Sequence, residues 1–304
     1  GYTVTGSHPI YGWFYDREHI NQYLGFEGYQ FWEERYQYMV NDIAEYLYRD
    51  DLFMSDVFEL YLGGTNRQWV QAEDGSMEIA SLEGERKPYF GFHVSYQGHA
   101  TYSSTGLAWG SGYYTAPEGV SWESYYILNN YLGSVNNTIR QLVTLRDRLA
   151  AQEEPVILVL FGDHKPWLGD GNSVYNELGI NLDTDTQEGF YNYYTTPYLI
   201  WANDAAKEIL GNDFTGQGPD ISAAYLMNEL FDLCGWDGPA YMQMMRNLEP
   251  LLPVVNPEGY YVQDGRMVET LDEAAGKALA QVRQVADFRR THVGDVKIVT
   301  EAIQ

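Results

Sequence analysis

Residues 155–164 read PVILVLFGDH. The apolar run over 155–161 is short for a helix, rich in Val and Ile and bounded by Pro155 and Gly162. Such a run predicts a strand buried on both faces, the mark of a central strand in a parallel sheet. Gly162 allows the backbone to turn sharply where the strand ends. In open parallel sheets ligands bind at the carboxyl ends of the strands, so Asp163 and His164 are delivered to the functional crevice. One carboxylate oxygen with one imidazole nitrogen suits Mn²⁺ or Zn²⁺ better than Ca²⁺, which prefers oxygen alone. The plainer alternative is a helix-capping aspartate beside a hydrogen-bonded histidine.

Outward from this strand the pattern alternates. Strands are predicted over 1–7, 87–95 and 196–202. Helices are predicted over 31–48, 56–62, 121–151 (broken near Gly133), 221–234 (capped by Asp220), 241–248 and 271–290. A hairpin around Asp264-Gly265 is predicted over 260–267. Residues 66–86 read as an irregular excursion, and 98–120 and 169–189 as loops. Strands alternating with helices predict an α/β fold with a mostly parallel sheet flanked by helices. A main domain is expected over 1–253, with a hairpin and helix appendage over 254–304.

The chain has 304 residues, with 18 Lys and Arg against 43 Asp and Glu, a formal charge of −25. So acidic a surface repels phosphate backbones, which argues against nucleic-acid binding, and it repels anionic membranes too. The single cysteine, Cys234, excludes an internal disulfide and a four-cysteine zinc site, and reads as a buried, inert thiol. No apolar run approaches the roughly 18 residues of a membrane span. The 27 Tyr and 8 Trp would suit carbohydrate ligands where rings reach the surface, although most are expected to fill the core.

Two further clusters could carry chemistry. His8 ends the first strand, and Arg17 follows in Tyr15-Asp16-Arg17. In a chain short of cations such an arginine suits a phosphate or sulfate, unless Asp16 or Glu18 pairs with it. His99 lies past the end of the strand over 87–95 and could contact a ligand or carry a proton, whereas His93 lies inside that strand and reads as structural. There is no GxSxG elbow, no phosphate-loop signature and no HExxH helix. Gly-Ser-Gly around Ser111 lacks a following helix signal, and the sequon Asn136-Asn137-Thr138 is uninformative in a helix.

The stretches GYTVTGSHPIYGWFYDREHINQYLGFEGY, KPYFGFHVSYQGHATY, VILVLFGDHKPWLG, YYTTPYLIWAN and DISAAYLMNELFDLCGW, in this order, resemble the catalytic domain of the lipoteichoic acid synthase family, within the alkaline phosphatase and sulfatase superfamily. The resemblance implies that Asp163 and His164 are a metal pair, usually for Mn²⁺, with Zn²⁺ or Mg²⁺ as alternatives. It implies that Arg17 meets a phosphoglycerol group, that His8 and His99 flank it, and that Tyr15 retains an aromatic wall. The implied activity is that of a phosphoglycerol transferase acting on a phosphatidylglycerol-type lipid or a cell-envelope polymer, at the extracellular face of the membrane.

The family's threonine nucleophile and glutamate metal ligand lie upstream of the His-Pro block. The chain is therefore expected to be the C-terminal portion of such a domain, inactive alone, tethered to a membrane only through an upstream segment. A missing sheet strand would leave an edge that invites homo-oligomerisation. The alternatives are a non-catalytic binding module for cell-surface glycopolymers, and a sulfatase or phosphoethanolamine transferase.

Overall fold

The computed structural model describes residues 1–291, apart from Ala100, Ser111, Ala116 and Pro117. The Gly-Ser-Gly centre at Ser111 and the tail of the expected appendage lie outside the described residues. In chain order the elements are β1 (Thr3–Ser7), α1 (Arg17–Tyr23), β2 (Gly28–Gln30), α2 (Ile43–Tyr46), α3 (Asp50–Gly64), β3 (Arg67–Gln71), β4 (Met77–Ser81), β5 (Tyr89–His93), α4 (Trp122–Ala150), β6 (Ile157–Phe161), α5 (Ser173–Glu177), α6 (Gln187–Tyr194), β7 (Tyr198–Ala202), α7 (Asp204–Leu210), α8 (Leu226–Leu233), α9 (Ala240–Leu248), β8 (Val254–Val255), β9 (Tyr261–Gln263), β10 (Arg266–Val268) and α10 (Glu273–Thr291). The fold is mixed α/β, and it packs as two units.

The first unit holds Gly1–Val156 and Phe161–Tyr198. Its sheet has the order β2-β1-β5, with both pairings parallel. Tyr89 and His93 of β5 share one face with Thr5 and Ser7, bonding to their hydroxyls. Helix α3 packs on β1 and β5, where Tyr61 meets Tyr89 edge-on. Phe90 and Phe92, which alternate with these residues, remain exposed. A second core cluster gathers Tyr102, Ile127, Leu128, Leu168, Val174 and Tyr175 around α4 and α5.

Several local expectations yield to packing. Residues 31–48 form no long helix; they hold a 3₁₀ turn over Tyr36–Tyr38 and the single turn of α2. Arg35 is drawn into a bidentate bond to buried Asp56, and the rings of Tyr36 and Tyr46 pack at a tilt with centroids 4.8 Å apart. These long-range anchors outweigh a helical periodicity. The excursion over 66–86 is an antiparallel hairpin, β3 with β4, whose polar surface hid its alternation. Helix α4 is unbroken through Gly133, where a Cβ would overlap the side chain of Trp109. The loop predicted over 169–189 contains α5 and the start of α6.

The second unit holds Ile157–Leu160 and the chain from Leu199 onward. Strand β6 pairs with β7. Its residues are half-buried and Phe161 is exposed, so the expected burial on both faces is not met; β7 is its one ladder partner among the described residues. Asp220 caps no helix, because the turn before α8 starts at Ser222, whose hydroxyl is engaged by the Val255 backbone. One core cluster joins Tyr225, Met245, Leu248 and Leu252 to Tyr261, Leu279 and Val282, so residues on both sides of the expected boundary at 253 pack together. Cys234 is buried, which raises its thiol to about 11 and makes it a poor nucleophile.

Candidate functional site

The site lies in the first unit. Strand β1 ends at Ser7, and the His8 backbone N–H continues the ladder by donating to the Gln30 carbonyl at 2.9 Å. The His8 ring is thereby carried to the carboxyl end of the sheet and is 4% exposed. Burial, and then the nearby charges of Arg17 and His99, lower its pKa to about 3. His8 is therefore neutral at pH 7, and its Nδ1 is buried without a hydrogen-bond partner among the described residues.

Arg17 opens α1 directly after Tyr15 and Asp16, both with φ near +54°. Two successive non-glycine residues in this sparsely populated region are a form of strain that gathers at functional sites. No carboxylate forms an ion pair with Arg17 among the described residues, and its Nε is buried and unbonded. The two acids that could have neutralised it turn to His19 instead: Asp16 lies 2.6 Å and Glu18 3.8 Å from His19 Nδ1. Those contacts raise the His19 pKa. Asp16, Glu18 and His19 bring their ligand atoms together on the surface, and all three are exposed. Tyr15 is also exposed, its ring edge-on to Phe14, and the structure shows it against its own segment rather than against the histidines.

Strand β5 delivers the other two histidines differently. His93 is held inside the sheet, with Nδ1 bonded to the Ser7 hydroxyl at 2.8 Å and Nε2 to the Tyr89 hydroxyl at 3.1 Å. Burial drops its pKa to about 4, as suits a structural imidazole. His99 emerges into water beyond the strand end and stacks on Tyr96 with ring centroids 4.9 Å apart. Tyr96 in turn lies 6.4 Å from the His8 ring.

The turn that carries His99 is anchored by Gln97, which is fully buried. Its carbonyl oxygen accepts from the Asp50 backbone N–H, its amide donates to the Thr138 hydroxyl, and Thr138 donates to the Asp50 carboxylate at 2.6 Å. This closed ring ties the turn to the start of α3 and to the middle of α4. Burial raises Asp50 to about 6 even with these donors. No periodicity marks Gln97 in the sequence, since its partners lie far along the chain.

Asp163 and His164 follow β6 through Gly162, whose carbonyl accepts from the Thr196 hydroxyl at 2.8 Å. The His164 backbone N–H donates to Asp163 Oδ1 at 2.9 Å, and its Nδ1 donates to the Lys165 carbonyl at 2.7 Å. That second bond sets the tautomer and leaves the Nε2 lone pair facing outward. Nε2 lies 3.6 Å from Asp163 Oδ2, too far for a hydrogen bond. Two ligands each about 2.1 Å from one ion span at most about 4.2 Å, so both atoms can reach the same cation. The pair thus fits two coordination positions. The His164 ring also meets His99 edge-on at 5.7 Å. Arg17 and His8, His99, and Asp163 with His164 accordingly form one chain of neighbours, which leaves Tyr15 at its margin.

A cleft of about 460 Å³ opens beside the pair, with His99, Asp163, His164, Lys165, Trp167 and Tyr193 among its walls. Trp167 stands three residues beyond His164, an aromatic residue close behind the Asp-His pair, and that was the available sign of this cleft.

Residues 1–236 match the sulfatase family model. The chain is 26% identical over 251 residues to the "Putative cyclic beta-1,2-glucan modification protein" of Rhizobium meliloti (strain 1021), covering 79% of this chain and 33% of that protein. Its fold is similar to that of the Streptococcus pyogenes phosphoglycerol transferase GacH, solved in complex with sn-glycerol-1-phosphate. The TM-score is 0.58 at 12% identity, covering 94% of this chain and 60% of that one. The chain thus spans a third of the curated relative and three-fifths of the solved one.

Proposed function

Since this chain belongs to the sulfatase family, we propose that it forms the phosphoester-gripping part of a metal-dependent phosphoglycerol transferase whose acceptor is a glucan of the cell envelope. The observation that carries this reading is Arg17, a cation with no paired carboxylate among the described residues, beside the neutral, buried His8. The names of the two similar proteins, a phosphoglycerol transferase and a "Putative cyclic beta-1,2-glucan modification protein", support this choice of transferred group and acceptor class.

The guanidinium presents parallel N–H donors to two oxygens of a phosphate, a bidentate contact stronger than a neutral hydrogen bond. His8 is held neutral, so its unbonded Nδ1 can donate to or accept from the glycerol end of the group. His99, at the exposed rim, offers a ring nitrogen that can hold or release a proton. Asp163 and His164 would hold the divalent ion, Mn²⁺ in the first instance, which when bound polarises a phosphoryl oxygen as a Lewis acid. The attacking hydroxyl is inferred to come from outside these residues. The hydroxyl of Thr5 is bonded to Tyr89, on the sheet face where α3 packs, so it does not fill that role. The isolated chain then binds without turnover. This reading assigns the work to the outer face of the membrane, where a lipid donor and an envelope polymer would meet.

Calorimetric titration of sn-glycerol-1-phosphate in the presence of Mn²⁺ tests the reading. The wild-type chain binds, and Arg17→Ala weakens binding at least tenfold. Equal binding by Arg17→Ala overturns it, and tighter binding of a sulfate ester reassigns the site to sulfate chemistry.

A further inference from the structure

His99 and the Asp163–His164 pair account for one wall of the 460 Å³ cleft. Its other walls belong to neither. Trp167 is 39% exposed and Tyr193 43% exposed, and both border the cleft together with Tyr194, Asn172 and Lys165. We propose that this part of the cleft is the acceptor subsite, and that it seats a neutral sugar ring against Trp167 and Tyr193. The inference rests on the transferase reading above and names where that reaction's acceptor binds.

Three features favour a sugar over other occupants. The volume falls in the roughly 300–1,000 Å³ typical of small-ligand sites. The walls mix ring faces with polar groups: a ring face suits the C–H side of a pyranose, while the Tyr hydroxyls and the Asn172 amide suit its edge hydroxyls. An acyl chain would face the Tyr193 hydroxyl and the Asn172 amide rather than a wholly apolar wall, at a cost in affinity. An anionic ligand would meet a single lysine near the Asp163 carboxylate, in a chain whose net charge is −25.

The walls are held before any ligand arrives. The Tyr175 hydroxyl donates to the Pro166 carbonyl at 2.9 Å and so fixes the turn that presents Trp167. Gly169, Gly171 and Asn172 all adopt positive φ, which folds the chain back so that Asn172 reaches the rim. Tyr194 is wedged between Phe190 and Tyr193, with centroids at 5.0 and 4.9 Å. Such preorganisation lowers the ordering cost of binding. His99, Asp163 and His164 line the same cleft, so a hydroxyl of the seated ring comes up against the phosphoryl site.

The probe is a β-1,2-linked glucan oligosaccharide, titrated calorimetrically into the wild-type chain, Trp167→Ala and Trp167→Phe. sn-Glycerol-1-phosphate with Mn²⁺ is titrated in parallel, and circular dichroism checks that each variant is folded. The proposal expects glucan binding that falls at least tenfold in Trp167→Ala and recovers in Trp167→Phe, with glycerol phosphate affinity within twofold of wild type in both. Glycerol phosphate binding without glucan binding, or glucan binding indifferent to Trp167→Ala, overturns the subsite and leaves the transferase reading standing. Glucan binding that depends on Trp167, with no glycerol phosphate binding, keeps the sugar site and removes the transferase. Trp167-dependent capture of dioctanoyl phosphatidylglycerol in place of the glucan makes the cleft a lipid site and also overturns the proposal.

Discussion

The imidazoles of His99 and His164 meet edge to face with ring centroids 5.7 Å apart. One follows the end of β5 and the other the end of β6, so their meeting links the neighbours Arg17, His8 and Tyr96 to the Asp163–His164 pair. The contact brings side chains from separate stretches of chain together.

The anion grip gives the first prediction. A hydrogen bond to a charged group contributes about 1.5–3 kcal/mol. Arg17→Lys, which keeps the charge but loses the planar fork, is expected to weaken sn-glycerol-1-phosphate about tenfold, and Arg17→Ala by ten- to a hundredfold. Calorimetric dissociation constants check the order. A lysine variant as tight as wild type would mean that the bidentate geometry is not used.

The second prediction concerns acid. His8 is depressed to about 3 and His93 to about 4, from an ordinary 6.5. Between those values and 6.5 the unfolded chain binds more protons, so these groups' stabilisation is full above pH 6.5 and is lost as pH falls. For His8 the loss is on the order of 2 kcal/mol by pH 5. Asp50, raised to about 6, has the opposite sign: its contribution is full below about 3.8 and is lost as pH rises through 6. Melting temperatures of wild type and His8→Gln at pH 5 and 7.5 separate the two. The variant should lose less stability on acidification, and an identical loss would contradict a neutral, buried His8.

Next comes the ring of Gln97, Thr138 and Asp50. Thr138→Val keeps the shape of the side chain but removes the donor to a buried carboxylate, so it should cost about 1–3 kcal/mol in urea denaturation. Gln97→Ala should cost more, since it also frees the turn that carries His99. If Gln97→Ala unfolds as wild type does, the ring does not hold that turn.

Helix α4 offers a fourth test. Glycine to alanine inside a helix ordinarily stabilises by roughly 1 kcal/mol. At Gly133 the added Cβ would overlap Trp109, so Gly133→Ala should instead destabilise by about 1–3 kcal/mol. A rise in melting temperature would show that Trp109 does not pack there.

Much of this was legible in the residues. The apolar run of 155–161 marks a strand whatever its surroundings, and His8, His99 and Asp163 each follow a strand end, so they could be grouped before any distance was known, although β6 pairs with β7 rather than with β1 or β5. What escaped depended on distant partners. The apolar and aromatic residues of 31–48 recur near a helical spacing, yet Asp56 and Phe53 hold Arg35 and Tyr36 in another conformation. The hairpin over Arg67–Gln71 and Met77–Ser81 is largely solvent-exposed, so it shows little hydrophobic alternation. Gln97 is an ordinary glutamine until α3 and α4 close around it. Tyr15, grouped with the site on resemblance, lies at its edge because the left-handed turn that aims Arg17 leaves the tyrosine in water.

The central claim is that the anion grip and the Asp163–His164 pair serve one ligand. The most direct test is the affinity for sn-glycerol-1-phosphate with and without Mn²⁺, in wild type and in Asp163→Asn. The account predicts that Mn²⁺ tightens binding at least tenfold in wild type and that Asp163→Asn abolishes this gain while retaining the metal-free affinity set by Arg17. An equal Mn²⁺ effect in both proteins, or none in wild type, would contradict it.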